Sequence, residues 1–218
     1  MTTFNVYRRE SNDINPPVAI ATGLTSMSYS DDTAEVGKTY LYSVGAVKNG
    51  LEKISEEKTV FAGIRKYRHI RIYMTSINGG DKLALQEVEV ASVLGGTDIT
   101  FPSMGSNQSS SWQGMVASKL VNRNYTDYVS NIWEASNGSV PQWVHFDFGA
   151  EVDVAEVRIW AQNWAAAGVV RCPKTLTIQG AKNDGVWENI FTYTDVTGWA
   201  LGKATIFNLL DGTFKYQI

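Results

Sequence analysis

Residues 161–171 bring together one aromatic and two planar polar side chains, those of Trp164, Asn163 and Arg171. An aromatic ring can cover the apolar side of a sugar, while amide and guanidinium groups form hydrogen bonds with its hydroxyls. We therefore expect Trp164, Asn163 and Arg171 to contact carbohydrate. Two alternatives stay open for Trp164, which could pack inward as a loop anchor or lie against another subunit.

Patterns that would indicate catalysis are weak by comparison. Glu134 and Asp147 come nearest to a catalytic pair of carboxylates, but Asp147 precedes a Phe-Gly pair at a strand end, where such a residue usually caps a turn. His69 and His145 are far apart and have no partner at zinc-binding spacing. No nucleophile motif, phosphate-binding loop or CxxC motif occurs. The sequence thus predicts no catalytic residue, and we expect the protein not to be an enzyme.

Composition limits the possible partners. The chain has 218 residues, a formal net charge of −3 and an isoelectric point near 5.4, which argues against nucleic acid as a partner. No apolar run approaches the roughly 18 residues of a membrane span, so we expect no membrane insertion. Cys172 is the only cysteine, which excludes an intrachain disulfide, and we expect it to be a small buried residue.

Alternating hydrophobicity indicates the elements that must position these residues. The run 141–149 predicts a strand with two opposite faces: Trp143, His145 and Asp147 on one, and Val144, Phe146 and Phe148 on the other. Gly149 then predicts a turn into a second strand at 154–160. Short runs of this kind recur along the chain between Gly, Asn, Asp, Ser and Pro, with no long helix. The predicted fold class is all-β.

The first part of the chain, residues 1–63, reads as a domain of its own. Strands are predicted at 4–8, 27–30, 39–47 and 58–60, with a hairpin at Asn49-Gly50. The run Tyr-x-Tyr-x-Val-x-Ala at 40–46, followed by Asn-Gly, resembles the late strands of a fibronectin type III domain. A full domain of that kind has about 100 residues. The resemblance therefore implies a partial fibronectin-like sandwich, whose first strands lie outside this chain or come from another chain.

A series of short motifs follows in a fixed order from residue 67 onward. They are the strand runs at 67–73 and 85–90, Gly-Gly-Thr-Asp-Ile-Thr at 95–100, Trp-Glu-Ala-Ser at 133–136, Pro-Gln-Trp at 141–143, Cys-Pro at 172–173 and Asp-Gly-Val-Trp at 184–187. This order is similar to that of discoidin-like, galactose-binding modules found at the ends of bacteriophage tail and fibre proteins. The resemblance implies a discoidin-like jelly-roll domain over residues 67–218, after a short junction at 63–67.

The resemblance also extends the set of candidate binding residues. In the discoidin-like family the binding loops lie at one end of the sandwich, and the loop of Trp164 commonly belongs to that end. The same analogy places Tyr125, Tyr128 and Trp112 there, so we expect them to contact carbohydrate as well. Three other tryptophans match family positions that are buried or half-buried: Trp133, Trp143 and Trp187.

A structural calcium ion is often present in the family. The matching positions here are Glu87, with Asn122 and Thr126 in the loop that follows the Ala-x-x-x-Val run. Asn122 stands where Asp is usual and Arg123 where a small residue is usual, and both changes reduce the negative charge offered to a cation. The resemblance implies calcium held by Glu87, Asn122 and Thr126. The alternative is that Glu87 pairs with Arg123 or caps the loop.

These resemblances imply a non-catalytic virion protein of a tailed phage, in a tail, fibre or baseplate, whose jelly roll binds host-surface carbohydrate. Such a protein would assemble in the bacterial cytoplasm as a homo-oligomer with other virion proteins and act outside the cell. The first alternative is a structural or decoration protein that uses the same surface for assembly. The second is a carbohydrate-binding module of a bacterial glycoside hydrolase.

Overall fold

The computed structural model describes residues 2–31, 33–35 and 38–217. The chain divides into two compact units, Met1–Gly63 (unit 1) and Ile64–Ile218 (unit 2). The strands of unit 1 are β1 (Thr3–Glu10), β2 (Val18–Leu24), β3 (Thr39–Lys48), β4 (Leu51–Ile54) and β5 (Lys58–Phe61).

Unit 1 is a single antiparallel sheet in which β1 lies between β2 and β3, and β3 pairs on its far side with both β4 and β5. Asn49 and Gly50 both have positive φ, at 52° and 77°, which confirms the predicted hairpin. The prediction of a strand at 27–30 is wrong, because these residues form bends and loop. The structure instead has β2 at Val18–Leu24, where no strand was predicted. The fibronectin-like character of unit 1 stays a prediction.

Unit 2 contains the remaining elements. They are β6 (Arg65–Ile77), β7 (Ala84–Ala91), β8 (Gly105–Gln108), a 3₁₀ helix (Ala117–Val121), β9 (Trp133–Glu134), β10 (Gln142–Val154), β11 (Glu156–Ala161), α1 (Ala165–Val170), β12 (Pro173–Ala181), β13 (Glu188–Tyr193), β14 (Ala204–Asn208) and β15 (Phe214–Tyr216).

Two five-stranded antiparallel sheets form unit 2. The front sheet has the order β13-β12-β6-β10-β8, and the back sheet has the order β15-β14-β11-β7-β9. Alternate residues of each sheet point into one shared core, since β-strand side chains alternate between faces. Fully buried examples are Ile70, Ile72, Met74, Val144 and Phe146 from the front sheet, and Val88, Val90, Val157 and Ile159 from the back sheet. Unit 2 is thus a β-sandwich, and the predicted all-β fold class is confirmed.

Strand β10 confirms the predicted alternation, because Val144, Phe146 and Phe148 belong to the core. The predicted turn at Gly149 is wrong, since β10 continues to Val154. The pairing with β6 is irregular between Asp147 and Val152, and Gly149 adopts a φ of 78° there while its N–H donates to Asp147 Oδ1 at 2.7 Å. A glycine at positive φ lets the strand bend without ending.

Helical structure is minor in the described part of the chain. The helix α1 spans six residues, and no helix there is long and apolar enough to cross a membrane. Cys172, which directly follows the loop carrying α1, is fully buried, as the sequence predicts.

Truncation of one core residue tests the orientation of β10. We expect Phe146→Ala to lower the free energy of unfolding by about 3–5 kcal/mol, because it leaves a cavity between the sheets. Trp143→Ala, on the opposite and half-exposed face of the same strand, should cost clearly less. Urea unfolding of both variants measures the difference. Equal losses would mean that β10 does not bury the face assigned to it.

Candidate functional site

A pocket of about 360 Å³ opens at the end of unit 2 where β6 and β11 finish and β7 and β12 begin. Its walls come from segments that are distant in sequence. These segments meet because the strands next to them begin or end at the same end of the sandwich. The lining residues are Lys82, Met115, Tyr128, Val129, Glu134, Gln162, Trp164 and Arg171.

The carboxylate of Glu134 lies at the base of this pocket and is only 5% exposed. Lys82 Nζ lies 2.5 Å from Glu134 Oε1, and Arg171 Nη1 lies 3.3 Å from Oε2. A buried carboxylate needs such partners, because an unpaired charge in the interior costs several kcal/mol. Each oxygen of Glu134 therefore fixes one cation at the pocket wall.

Arg171 has a second acidic partner at the pocket rim. Its Nε and Nη2 donate to the two carboxylate oxygens of Asp81 at 2.9 and 3.2 Å. Desolvation acts to raise the pKa of Asp81, but the hydrogen bonds and charge of Arg171 outweigh it and lower that pKa. The two cations and two carboxylates of the site thus balance one another, so the pocket carries little net charge.

Two half-exposed tryptophans stand against these cations. The guanidinium of Arg171 lies 5.0 Å from the ring centroid of Trp164, and Lys82 Nζ lies 4.1 Å from that of Trp112. The two rings are 43% and 39% exposed. Cation–π contacts of this length hold an aromatic ring in place, and the exposed faces stay free to contact a ligand.

Glycines allow the loops of the site to approach one another. Gly168 lies over the carbonyl of Gln162, and a Cβ at that position would come within 1.8 Å of Gln162 O. Gly80 packs in the same way on the carbonyl of Val170, at 2.8 Å. Any larger residue at either position would push the loop carrying Trp164 and Arg171 away from the pocket.

Three of the six candidate carbohydrate-binding residues line this pocket: Trp164, Arg171 and Tyr128. Trp112 is not among the lining residues, but its ring contacts the lining residue Lys82. Asn163 neighbours Trp164 in the loop but is not among the lining residues, and its backbone N–H donates to Gln86 Oε1 at 3.2 Å.

Tyr125 faces away from the pocket. Its hydroxyl donates to Glu89 Oε1 at 2.5 Å, and its ring packs 5.0 Å from that of Trp160. Burial, followed by the hydrogen bond to Glu89, raises the pKa of Tyr125. The side chain is engaged in holding its loop against the back sheet.

The sequence did not single out Lys82, Glu134 or Gln162 as binding residues. Glu134 carries one usable signal, since it is a charged residue inside the buried run 132–135. Gln162 donates to the carbonyl of Tyr128, but its buried Oε1 has no hydrogen-bond partner among the described residues. An unsatisfied acceptor next to a pocket is a feature that a ligand hydroxyl or a bound water would satisfy.

The residues of the calcium prediction lie along the part of the β7 edge that does not pair with β9. Glu87 is fully buried, its Oε1 accepts the backbone N–H of Arg123 at 3.0 Å, and its Oε2 has no partner in the described chain. Asn122 Oδ1 accepts from Asn124 N and Asn131 Nδ2, while Thr126 bonds to Asn124 Oδ1. The alternative reading of Glu87, as a cap of this loop, agrees with these contacts.

A neighbouring amide occupies the place where the loop carbonyls converge. Gln86 lies at an irregularity in the pairing of β7 with β11, which turns its side chain toward the loop. Its Nε2 donates to the carbonyls of Asn124, Asp127 and Asn131 at 3.0, 3.0 and 2.9 Å. Calcium requires six to eight free oxygen ligands. Because the Gln86 amide lies where these oxygens converge, we expect no calcium ion at this position, and calcium at Glu87, Asn122 and Thr126 stays a prediction to be tested.

Unit 2 is therefore an antiparallel β-sandwich with a polar and aromatic pocket among its end loops. Residues 119–216 match the family model of the NedA-like, galactose-binding domain, which is a discoidin-like, carbohydrate-binding type. The match includes Glu134, Gln162, Trp164 and Arg171 but not Lys82, and it supports carbohydrate binding. No curated protein and no solved structure matches the chain.

Stability should depend on pH through Glu87. Desolvation raises the pKa of its carboxyl from 4.5 to about 8, so the folded protein keeps a proton that the unfolded chain loses above about 4.5. Stability should then fall between pH 5 and 8, by about 1–3 kcal/mol. Glu87→Gln should remove this part of the slope, whereas Glu151→Gln, an exposed control, should not. Urea unfolding at several pH values measures it, and an unchanged slope in Glu87→Gln would contradict a neutral Glu87.

The melting temperature should be the same in calcium chloride and in EDTA, because Gln86 holds the loop carbonyls. Gln86→Glu should reverse this behaviour, since a carboxylate among three carbonyls is repelled without a cation and stabilised by one. Differential scanning fluorimetry of both proteins tests this expectation. A rise of several degrees for the unsubstituted protein in calcium would instead support Glu87, Asn122 and Thr126 as ligands.

Proposed function

We propose that this chain is a non-catalytic carbohydrate-binding protein and that the pocket around Glu134 holds an uncharged sugar. The observation that carries the proposal is the half-exposed ring of Trp164 beside a set of paired polar groups in one pocket, with a second ring, that of Trp112, held against Lys82 of the pocket wall. An independent support is the family match, which covers most of the pocket wall.

The chemistry of the pocket suits a neutral sugar. Lys82 and Arg171 still have N–H groups that can donate to hydroxyls, and Glu134 can accept from them. The two positive charges of Lys82 and Arg171 are balanced by the two negative charges of Glu134 and Asp81. A charged ligand would leave the pocket with a net charge, whereas a neutral sugar would not. The apolar face of the sugar would rest on Trp164, the tryptophan that lines the pocket. Galactose is the first sugar to test, because of the matched family.

The setting that we propose for this activity is the virion of a tailed phage, in which the protein acts at the host surface. Its support is the sequence resemblance of unit 2 to modules at the ends of tail and fibre proteins. A single shallow sugar site binds weakly, and many copies in a homo-oligomer raise the total affinity through avidity. The partners in this proposal are host-surface glycan and other virion proteins.

Assembly is a second candidate function, and one observation in unit 1 favours it. The sheet of unit 1 carries an open apolar groove of about 730 Å³, whose lining includes Phe4, Val6, Met27, Val44 and Val60. Met27 is 96% exposed and Val44 is 44% exposed. Exposed apolar side chains gathered along one groove are typical of protein–protein contacts. A glycan array without hits, together with a stable oligomer, would favour assembly over sugar binding.

Variants of the pocket test the sugar proposal directly. We expect Trp164→Ala to weaken binding of the best glycan-array ligand about tenfold or more, because the stacking face is lost. Tyr128→Ala should weaken it less, and Tyr125→Phe should leave it unchanged because Tyr125 faces away from the pocket. Isothermal titration calorimetry provides the affinities. Full affinity in Trp164→Ala, or a loss in Tyr125→Phe, would place the sugar elsewhere.

A further inference from the structure

The outer face of the front sheet carries a second group of aromatic and polar side chains. The strand register places Trp143 opposite Tyr73, and both His145 and Gln179 opposite Arg71. Trp187, from the segment between β12 and β13, packs over them with its ring 5.0 Å from that of His145. We call Arg71, Tyr73, Trp143, Gln179 and Trp187 the outer-sheet patch.

Arg71 lies at the centre of this patch and is surrounded by rings. Its Cζ lies 4.2 Å from the ring centroid of Trp187, 5.5 Å from that of Tyr73 and 5.8 Å from that of Trp143. All three aromatic residues are half-buried, so part of each ring faces solvent. The inner face of the same strands packs in the core, which keeps this arrangement rigid.

Arg71 is not in direct contact with a carboxylate. Its Nε donates to Gln179 Oε1 at 2.7 Å, but Arg71 forms no ion pair with any carboxylate in the described chain. Other arginines do form such pairs: Arg8, Arg9, Arg68, Arg123, Arg158 and Arg171. Desolvation lowers the pKa of Arg71, and the charges of Tyr73 and Asp184, which act without an ion-pair contact, offset this effect only in part.

The arginine and the rings of the outer-sheet patch favour a ligand that has both a carboxylate and a sugar ring. A guanidinium binds a carboxylate through two parallel hydrogen bonds, and the Nη groups of Arg71 are available for that purpose. The aromatic rings around it can stack on a sugar ring, and a sheet face offers a shallow, open surface that suits one. The pocket around Glu134 lacks such a free cation, because Glu134 and Asp81 already neutralise Lys82 and Arg171.

We propose that the outer-sheet patch is a second carbohydrate-binding site and that it takes an acidic sugar, with the carboxylate on Arg71 and the ring against Trp143 or Tyr73. The site is separate from the pocket around Glu134 and does not depend on it. The protein then has two sites of different charge preference on one domain, one for neutral and one for acidic sugars.

A matched pair of ligands tests this proposal in the full chain. Methyl β-glucuronide and methyl β-glucoside differ only in the carboxylate, and ¹H–¹⁵N spectra resolve the indole N–H signals of the tryptophans. We expect the glucuronide to shift the signals of Trp143 and Trp187, with the glucoside at least about tenfold weaker. Signals of Trp112 and Trp164 report the other pocket in the same spectra, so failure of one site is distinguishable from failure of the other.

Two substitutions complete the test. Arg71→Gln should weaken glucuronide binding about tenfold, while unchanged signals of the buried Trp133 and Trp199 verify the fold. Arg68→Gln removes the same charge from the same strand but leaves the patch intact, and should have no effect. The proposal is overturned if the glucuronide, at its highest soluble concentration, does not shift the indole signals of Trp143 and Trp187. It is also overturned if the glucoside or acetate shifts these signals as much as the glucuronide does, or if Arg71→Gln binds the glucuronide with unchanged affinity.

Discussion

The buried carboxylate of Glu134 is the interaction on which the candidate site depends. A charge that is nearly excluded from water must be paired, and here two cations share its two oxygens. Each cation in turn rests on a tryptophan ring. The pocket is therefore organised before any ligand arrives, which lowers the entropy cost of binding. Loss of Glu134 would leave Lys82 and Arg171 unpaired and the two rings without their fixed neighbours.

A second constraint links this pocket to the edge of the back sheet. Strand β7 pairs with β9 over only two residues, and the loop at 122–131 covers the rest of its edge. Gln86 and Glu87 hold this loop through its backbone, and the same loop supplies Tyr128 to the pocket wall. The stability of this loop and the shape of the pocket are thus coupled, although Gln86 and Glu87 contact the loop on one side and Tyr128 faces the pocket on another.

The sequence predicted the features that depend on local periodicity. The alternation in β10 identified the buried face correctly. The aromatic and polar composition of one loop pointed to Trp164 and Arg171, which both line the pocket, and their contact with carbohydrate stays a prediction. The sequence did not reveal Lys82 and Glu134, because their ion pair joins segments that only the fold brings together. The direction of Tyr125 was also not predictable, since proximity along a loop does not determine which way a side chain points.

The tryptophans of the front sheet illustrate the same limit. Trp143 and Trp187 were expected to be buried or half-buried, and both are half-buried. Only the folded structure shows that both rings lie against Arg71, which is distant from them in sequence. A resemblance assigns positions to a fold, whereas the chemistry of a surface follows from the particular side chains that the register places side by side.

The central claim is that the pocket around Glu134 binds a sugar, and a crystal structure grown with a galactose-containing ligand tests it most directly. The account predicts a sugar ring stacked on Trp164, with hydroxyls bonded to Glu134 and to Lys82 or Arg171. A sugar ordered on another part of unit 2 with this pocket empty, or a pocket closed by another protein chain, would contradict it.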